Sequence, residues 1–166
     1  VPFFALLGEY GIGKTTTLQH FASTMIQKRT AARKNGVPDN QLPPLVLYFD
    51  LRDYISNSSL RHAHIPDIKE LLTTIVQRGW RRTDQPVDID LVIRLVQQDG
   101  AIALFDGLDE KTVHMTTDLA QQFIRTLWSI LPRSSDTPDP QVRRGKALIS
   151  CRTHYFRDVA SQAAML

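Results

Sequence analysis

The sequence predicts an α/β fold, a three-layer sandwich built on a parallel sheet. Two observations carry this. Four short apolar runs, Phe3–Leu7, Leu45–Asp50, Ala101–Asp106 and Lys146–Cys151, show no polar alternation, which is how strands covered on both faces read. Helix-period segments lie between them, and strands alternating with helices argue for parallel pairing through right-handed crossovers.

Each element has its own signal. The run Phe3–Leu7 leads straight into a glycine-rich stretch. Leu18, Phe21, Ala22, Met25 and Ile26 then recur at helical spacing. The basic run from Lys28 to Lys34 suits the C-terminus of that helix. A loop is expected over Arg29–Pro44, which carries Gly36, Pro38, Pro43 and Pro44. After the second apolar run, Arg52–Pro66 is polar, contains Ser56-Asn-Ser-Ser59 and reads as a loop. Asp67-Ile-Lys-Glu70 resembles a capping box. Ile68, Leu71, Leu72, Ile75 and Val76 follow on one helical face, and Gly79 is a stop. A third helix is expected from Asp88 to Gln98, stopped near Gly100. A fourth runs from Thr117 to Leu131, ended by Pro132. Arg133–Gly145, with two prolines and the tandem Arg143-Arg144, reads as a loop.

Composition narrows the class. The 166 residues hold 20 Lys plus Arg and 17 Asp plus Glu, a net charge of +3. Hydrophobic residues at 42% and charged residues at 22% exclude wholesale disorder, collagen-like repeats and a disulfide scaffold. The single cysteine, Cys151, has no internal partner, which suits a reducing, cytoplasmic setting. No apolar run approaches the ~18 residues of a membrane span, and no basic-then-apolar signal opens the sequence. A surplus of +3 does not drive nucleic-acid binding unless the charges cluster. The chain opens inside an apolar strand and closes on Ser161-Gln-Ala-Ala-Met-Leu166, an unfinished amphipathic pattern. It is therefore expected to be a piece of a longer polypeptide, truncated at both ends.

Gly8-Glu-Tyr-Gly-Ile-Gly-Lys-Thr15 matches G-x-x-x-x-G-K-[ST]. Glycines let successive backbone N–H groups curl around one hollow, and that hollow with the following helix N-terminus binds phosphate oxygens. The cofactor-binding set is Gly8, Glu9, Tyr10, Gly11, Ile12, Gly13, Lys14, Thr15 and Thr16. Lys14 reaches the β- and γ-phosphates of a nucleotide, and Thr15 offers its hydroxyl to Mg²⁺. The context fits, with an apolar strand before the motif and a helix after it.

Ala101-Ile-Ala-Leu-Phe-Asp106 is an apolar strand ending in a carboxylate, followed at once by Gly107-Leu-Asp-Glu110. A Walker B aspartate occupies such a position and holds the Mg²⁺ shell. Three carboxylates within five residues repel one another unless a cation sits among them. A Mg²⁺–nucleotide complex with Lys14 resolves that, and Asp109 or Glu110 can polarise an attacking water. Open α/β sheets place ligands at these C-terminal strand ends. Arg152, in Ser150-Cys-Arg152 at the tip of the fourth run, is suited to sensing or neutralising a γ-phosphate.

With these residues in view the chain resembles the NACHT family of STAND P-loop NTPases, and its bacterial members most. The resemblance rests on Gly8-Glu-Tyr-Gly-Ile-Gly-Lys-Thr-Thr16, Tyr48-Phe-Asp-Leu-Arg52, Leu104-Phe-Asp-Gly-Leu-Asp-Glu110 and Ile149-Ser-Cys-Arg-Thr-His-Tyr-Phe156. It implies an ASCE-type core whose Walker A and Walker B strands are separated by an inserted strand, here Lys146–Cys151. It implies that Lys14 and Thr15 contact phosphate and Mg²⁺, that Asp106 serves Mg²⁺, and that Asp109, Glu110 and Arg152 act in hydrolysis or nucleotide sensing. The implied activity is slow ATP hydrolysis that sets a switch, with ADP exchanged for ATP and other copies of the protein recruited. Effector and sensor domains are implied in the same polypeptide, as is a link to phage defence. A final core strand and a winged-helix histidine are implied beyond residue 166.

Two rival functions remain open. A P-loop phosphotransferase needs an acceptor pocket and an arginine-rich lid, a part that Arg133–Gly145 could play. A binding module could hold ADP structurally and barely turn over. A small GTPase is disfavoured, since no Asn-Lys-x-Asp motif occurs. His62 and His64 flank one alanine without a cysteine or carboxylate at metal-ligand spacing and read as loop. Cys151 reads as a small strand residue. Arg81-Arg82 and Arg143-Arg144 read as solvated pairs. Trp80 and Trp128 read as core or domain contacts.

Overall fold

The structure is a computed structural model that describes residues 3–55, 64–80, 86–132 and 144–153. Strands β1 (Phe3–Leu7), β2 (Val46–Asp50), β3 (Ile102–Asp106) and β4 (Lys146–Cys151) form one sheet. Every pairing is parallel and the order is β1-β4-β3-β2. The inserted strand expected between the first and third runs is therefore β4.

Period-2 alternation divides the sheet into two faces. On one, Leu47, Phe49, Ala103, Phe105, Ala147 and Ile149 form the main core. It is covered by α2 (Ile68–Gly79), α3 (Ile89–Gln97) and α5 (Thr117–Trp128), through Leu71, Leu72, Ile75, Val92, Val96, Phe123 and Leu127. On the other, α1 (Lys14–Lys34) lays Leu18 and Ala22 against Val46 and Leu104. Helices thus cover both faces, giving the three layers. Phe49 stacks on Phe105 with centroids 5.4 Å apart, and both are fully buried. Each such side chain contributes roughly 1.5–3 kcal/mol through burial.

The helix starts follow the sequence closely. Asp67 accepts from the Glu70 backbone N–H at 2.8 Å. Asp88 accepts from Asp90 and Leu91 at 2.9 and 3.2 Å. The Glu70 carboxylate and the His64 ring are hydrogen-bonded at 2.7 Å, both exposed. Trp80 stacks on Phe49 and donates its indole N–H to the Tyr48 carbonyl at 3.1 Å. Trp128 meets Phe3 edge-on at 5.4 Å.

Two expectations are corrected and one element is added. The first helix continues to Lys34, so the loop expected from Arg29 begins at Asn35. Arg, Thr, Ala, Ala, Arg and Lys all sustain helix, and Gly36 with φ +74° supplies the left-handed turn that ends it. The stretch after Asp106, to which the sequence assigns no element, is a single helical turn, α4 (Leu108–Thr112). Helix α5 stops at Trp128, three residues before Leu131. The loops Arg52–Pro66 and Arg133–Gly145 fall largely outside the described residues. His62, Arg81-Arg82, Arg143, His154-Tyr-Phe156 and Ser161–Leu166 also lie outside them.

Candidate functional site

The site forms where the strands end. β1 and β3 stop at neighbouring positions with β4 between them, so three chain segments separated in sequence meet at one edge. The glycine-rich loop leaves β1 and turns back over the sheet. Gly11 and Gly13 take φ of +80° and +85°, and a Cβ on either would meet nothing within 4 Å. Here glycine is required by backbone conformation, and the space in front of it is open. At Gly8 the reason is close approach: a Cβ would collide with the Ile12 side chain, which folds back over it. The Gly8 N–H donates to the Cys151 carbonyl at 3.2 Å and ties the loop to β4.

The Lys14 ammonium donates to the carbonyls of Gly8 at 2.6 Å and Glu9 at 3.0 Å. Its charge is thus held inside the loop. Tyr10 projects outward, 80% exposed, and Ile12, lying over Gly8, keeps 61% of its surface exposed. Thr16 is exposed as well.

Asp106 is the best-held group. Its carboxylate is 1% exposed and accepts from the Tyr48 hydroxyl at 2.8 Å and from the Ser150 hydroxyl, with Thr15 lining the same cleft. Ser150 also accepts the Gly107 N–H at 3.0 Å. Burial alone raises a carboxyl pKa. Here hydrogen bonds from Ser150, Thr15 and Tyr48, then the Arg52 charge, outweigh burial and hold Asp106 below its ordinary value. Burial, then Asp106, push the Tyr48 phenol upward, so it stays a donor.

The two downstream acids have separate partners. Asp109, whose side chain is 10% exposed, pairs with the Arg152 Nε at 2.8 Å. That guanidinium also lies 5.5 Å from the centre of the Tyr10 ring, within cation–π reach. Glu110, 43% exposed, pairs with Arg52 at 3.4 Å. The Cys151 thiol is pushed up to about 12, by burial and then by Asp109. It is a packed strand residue, not a reactive thiol.

These groups line one cleft of about 310 Å³, bounded by Tyr10, Gly11, Gly13, Lys14, Thr15, Arg52, Asp106, Gly107, Asp109, Glu110, Ser150 and Arg152. Nine of the expected residues do not behave alike: Tyr10, Gly11, Gly13, Lys14 and Thr15 line the cleft, whereas Gly8, Glu9, Ile12 and Thr16 stand behind or outside it. Asp106, Asp109, Glu110 and Arg152 all reach it.

Sequence reading missed Tyr48, Arg52 and Ser150 as site residues, and Asp50 behind Arg52. A faint signal exists. Period 2 puts Tyr48 and Asp50 on one face of β2, and the register pairs Asp50 with Asp106. Only that register, which no local pattern reveals, brings them to the cleft.

The donor set suits a Mg²⁺–nucleotide complex rather than a bare ion. Among the described residues no group of three or more His, Cys, Asp or Glu is arranged to hold a metal. One buried carboxylate and one threonine hydroxyl in the same cleft would leave most of a Mg²⁺ shell to phosphate oxygens and water. The open glycine backbone beside it has room for those phosphates.

Comparison with known proteins adds little. No family model matches, and no solved structure matches. The chain is 26% identical over 164 residues to an uncharacterised WD repeat-containing protein of Nostoc sp.. The alignment covers 98% of this chain and 9% of that protein, so the chain spans about a tenth of its relative. Among the described residues no helix is long and apolar enough to cross a membrane.

Proposed function

We propose that the chain is the nucleotide-binding core of a STAND-type P-loop NTPase of the NACHT kind, a switch that binds ATP or ADP with Mg²⁺ and hydrolyses ATP slowly. The observation that carries the reading is the meeting of Lys14 and Thr15, at the head of α1, with the buried carboxylate of Asp106, at the tip of β3, in the lining of one cleft. Two motifs 91 positions apart in sequence (106 − 15) meet at the one place where a triphosphate and its metal need both.

In this reading the backbone N–H groups of Gly8–Thr16 cradle the phosphates, and Lys14 moves its charge from the loop carbonyls to the β- and γ-phosphates. Thr15 and Asp106 hold Mg²⁺, which when bound neutralises charge on the phosphate oxygens. Tyr48 and Ser150 orient Asp106. Glu110, the more exposed acid, polarises the attacking water. Asp109 holds Arg152, which senses the γ-phosphate. The work is conformational: nucleotide state sets which surfaces are free to assemble with other copies of the protein. The WD repeats named in the Nostoc relative fit a sensor region carried on the same polypeptide, with an effector region completing the switch, acting in the cytoplasm.

The test is the mass of the full-length protein, measured with Mg²⁺–ADP and then with a non-hydrolysable ATP analogue. ATP-dependent growth into a defined oligomer, lost in Lys14→Ala, supports the switch. A monomer in every state that passes phosphate to an added metabolite moves the assignment to a phosphotransferase. A monomer that holds ADP and never turns over moves it to a structural binding module.

A further inference from the structure

The cleft holds a cation, Arg52, that helps to hold Asp106 below its ordinary value, its Nη2 3.9 Å from Oδ2, and that the roles above give no part in hydrolysis. Arg52 sits on the single 3₁₀ turn Leu51–Asp53, directly after β2. Its guanidinium is gripped by Asp50 through two bonds, Nε to Oδ1 and Nη2 to Oδ2, both 2.7 Å. The Asp50 carboxylate also accepts the Arg52 backbone N–H at 3.0 Å, so side chain and main chain share one anchor. Leu51 between them is fully buried. On the far side the arginine stem lies along Gly107, its Cγ, Nε and Cδ 3.6, 3.7 and 3.8 Å from where a Cβ would stand. The arm is held on two sides. Its free nitrogen, Nη1, faces the Glu110 carboxylate at 3.4 Å.

The strengths of these contacts differ. A forked arginine–carboxylate pair is strong and fixes geometry. The 3.4 Å contact to Glu110 is long and partly solvated, so it adds little to stability. It does place the Glu110 carboxylate beside the guanidinium. α4 is one turn long and does not hold a flexible glutamate in place by itself.

We infer that Arg52 is a positioning residue: anchored by Asp50 and seated on Gly107, it sets the Glu110 carboxylate at the mouth of the phosphate cleft. The inference rests on the reading of the cleft as a site of ATP hydrolysis, and deepens it. A Cβ at Gly107 would only touch the arm at van der Waals distance, and it is the φ of +80° that calls for glycine there. Asp50 becomes part of the hydrolytic apparatus without touching nucleotide.

The experiment is steady-state hydrolysis and calorimetric binding of a non-hydrolysable ATP analogue by the full-length protein, in wild type, Arg52→Ala, Arg52→Lys, Asp50→Asn, Glu110→Gln, Lys14→Ala and the double variant Arg52→Ala with Glu110→Gln. Arg52→Ala is expected to lower kcat roughly ten- to hundredfold, as loss of a supporting contact does. KM and analogue affinity are expected to stay within about twofold of wild type. Arg52→Lys restores little, because a point charge lacks the fork. The double variant is expected to be no slower than Glu110→Gln alone. If Arg52→Ala does not fold, Asp50→Asn, which keeps shape and loosens the anchor, carries the test with a smaller loss of kcat alone.

Several results would overturn the inference. Weaker analogue binding with kcat kept makes Arg52 a phosphate contact. A faster Arg52→Ala makes it a restraint on Glu110. A further drop in the double variant makes its role independent of Glu110. An unchanged kcat in Asp50→Asn removes the anchor. Lys14→Ala separates the two levels: analogue binding retained there sinks the nucleotide site itself, whereas binding lost there with any of the other results sinks only the role of Arg52.

Discussion

The two ends of the sheet each carry a cleft, and they differ in kind. Where the strands finish, about 310 Å³ is enclosed by the glycine loop and the tips of β3 and β4. Where they begin, a larger space of about 400 Å³ lies among Arg29, Arg33, Asp39, Asn40, Pro44, Leu95, Gln98 and Asp99. Size favours the second and chemistry the first. At the first end a carboxylate is 1% exposed and hydrogen-bonded on both oxygens. At the other, Arg33 and Asp39 meet at 3.5 Å with side chains 67% and 85% exposed, a solvated pair worth little. Arg29 is occupied with the Pro43 carbonyl, closing the connection between α1 and β2. Desolvated, partnered charge costs free energy to assemble and marks a site. Solvated charge marks a surface.

The largest expected effect separates the two ends outright. Lys14→Ala loses nucleotide affinity by about 2–5 kcal/mol, as removal of one member of a buried charge pair does. The double change Arg29→Ala with Arg33→Ala leaves affinity unchanged. Calorimetry on both variants checks this, and equal losses would erase the distinction. Next, Asp109→Ala with Glu110→Ala keeps binding while turnover falls roughly hundredfold or more, the scale of a lost general base. Normal single-turnover hydrolysis in that variant would remove both residues from the chemistry.

A third effect falls on stability. Ser150 donates to Asp106 and accepts from Gly107, so Ser150→Ala strands buried groups and costs about 1–3 kcal/mol. A denaturant midpoint matching wild type would mean that the buried network is not needed. The smallest effect is in pH. Asp106 lies below its ordinary value of 3.8 in the fold. Its charged form therefore stabilises the protein above that pH, and the contribution is lost as pH falls through the folded value. Asp106→Asn should flatten the acid side of the stability profile; an identical acid limb would assign the loss to other carboxylates.

Much of this was legible in sequence, for identifiable reasons. The strands showed as unbroken apolar runs because helices cover both faces. Lys14, Thr15 and Asp106, which line the cleft, stood out because a glycine-rich loop and an acidic strand end are local patterns. The extension of α1 to Lys34 was hidden by prolines that belong to the segment after it. α4 was hidden because one turn is too short to show a period. Tyr48, Asp50 and Arg52 became site residues only through the pairing of β2 with β3, which is long-range information. Arg52 is the sharpest case: in sequence it opens a polar loop, and in the fold, held by Asp50, it reaches Glu110 across 58 positions.

Hydrogen exchange of the full-length protein, with and without a non-hydrolysable ATP analogue and Mg²⁺, tests the central claim most directly. It reports which end of the sheet the nucleotide protects. The account predicts slowed exchange in the glycine loop, the head of α1 and the Asp106–Thr112 segment, with Arg29–Pro44 unchanged. Protection at Arg29–Pro44 with the glycine loop unaffected would contradict it.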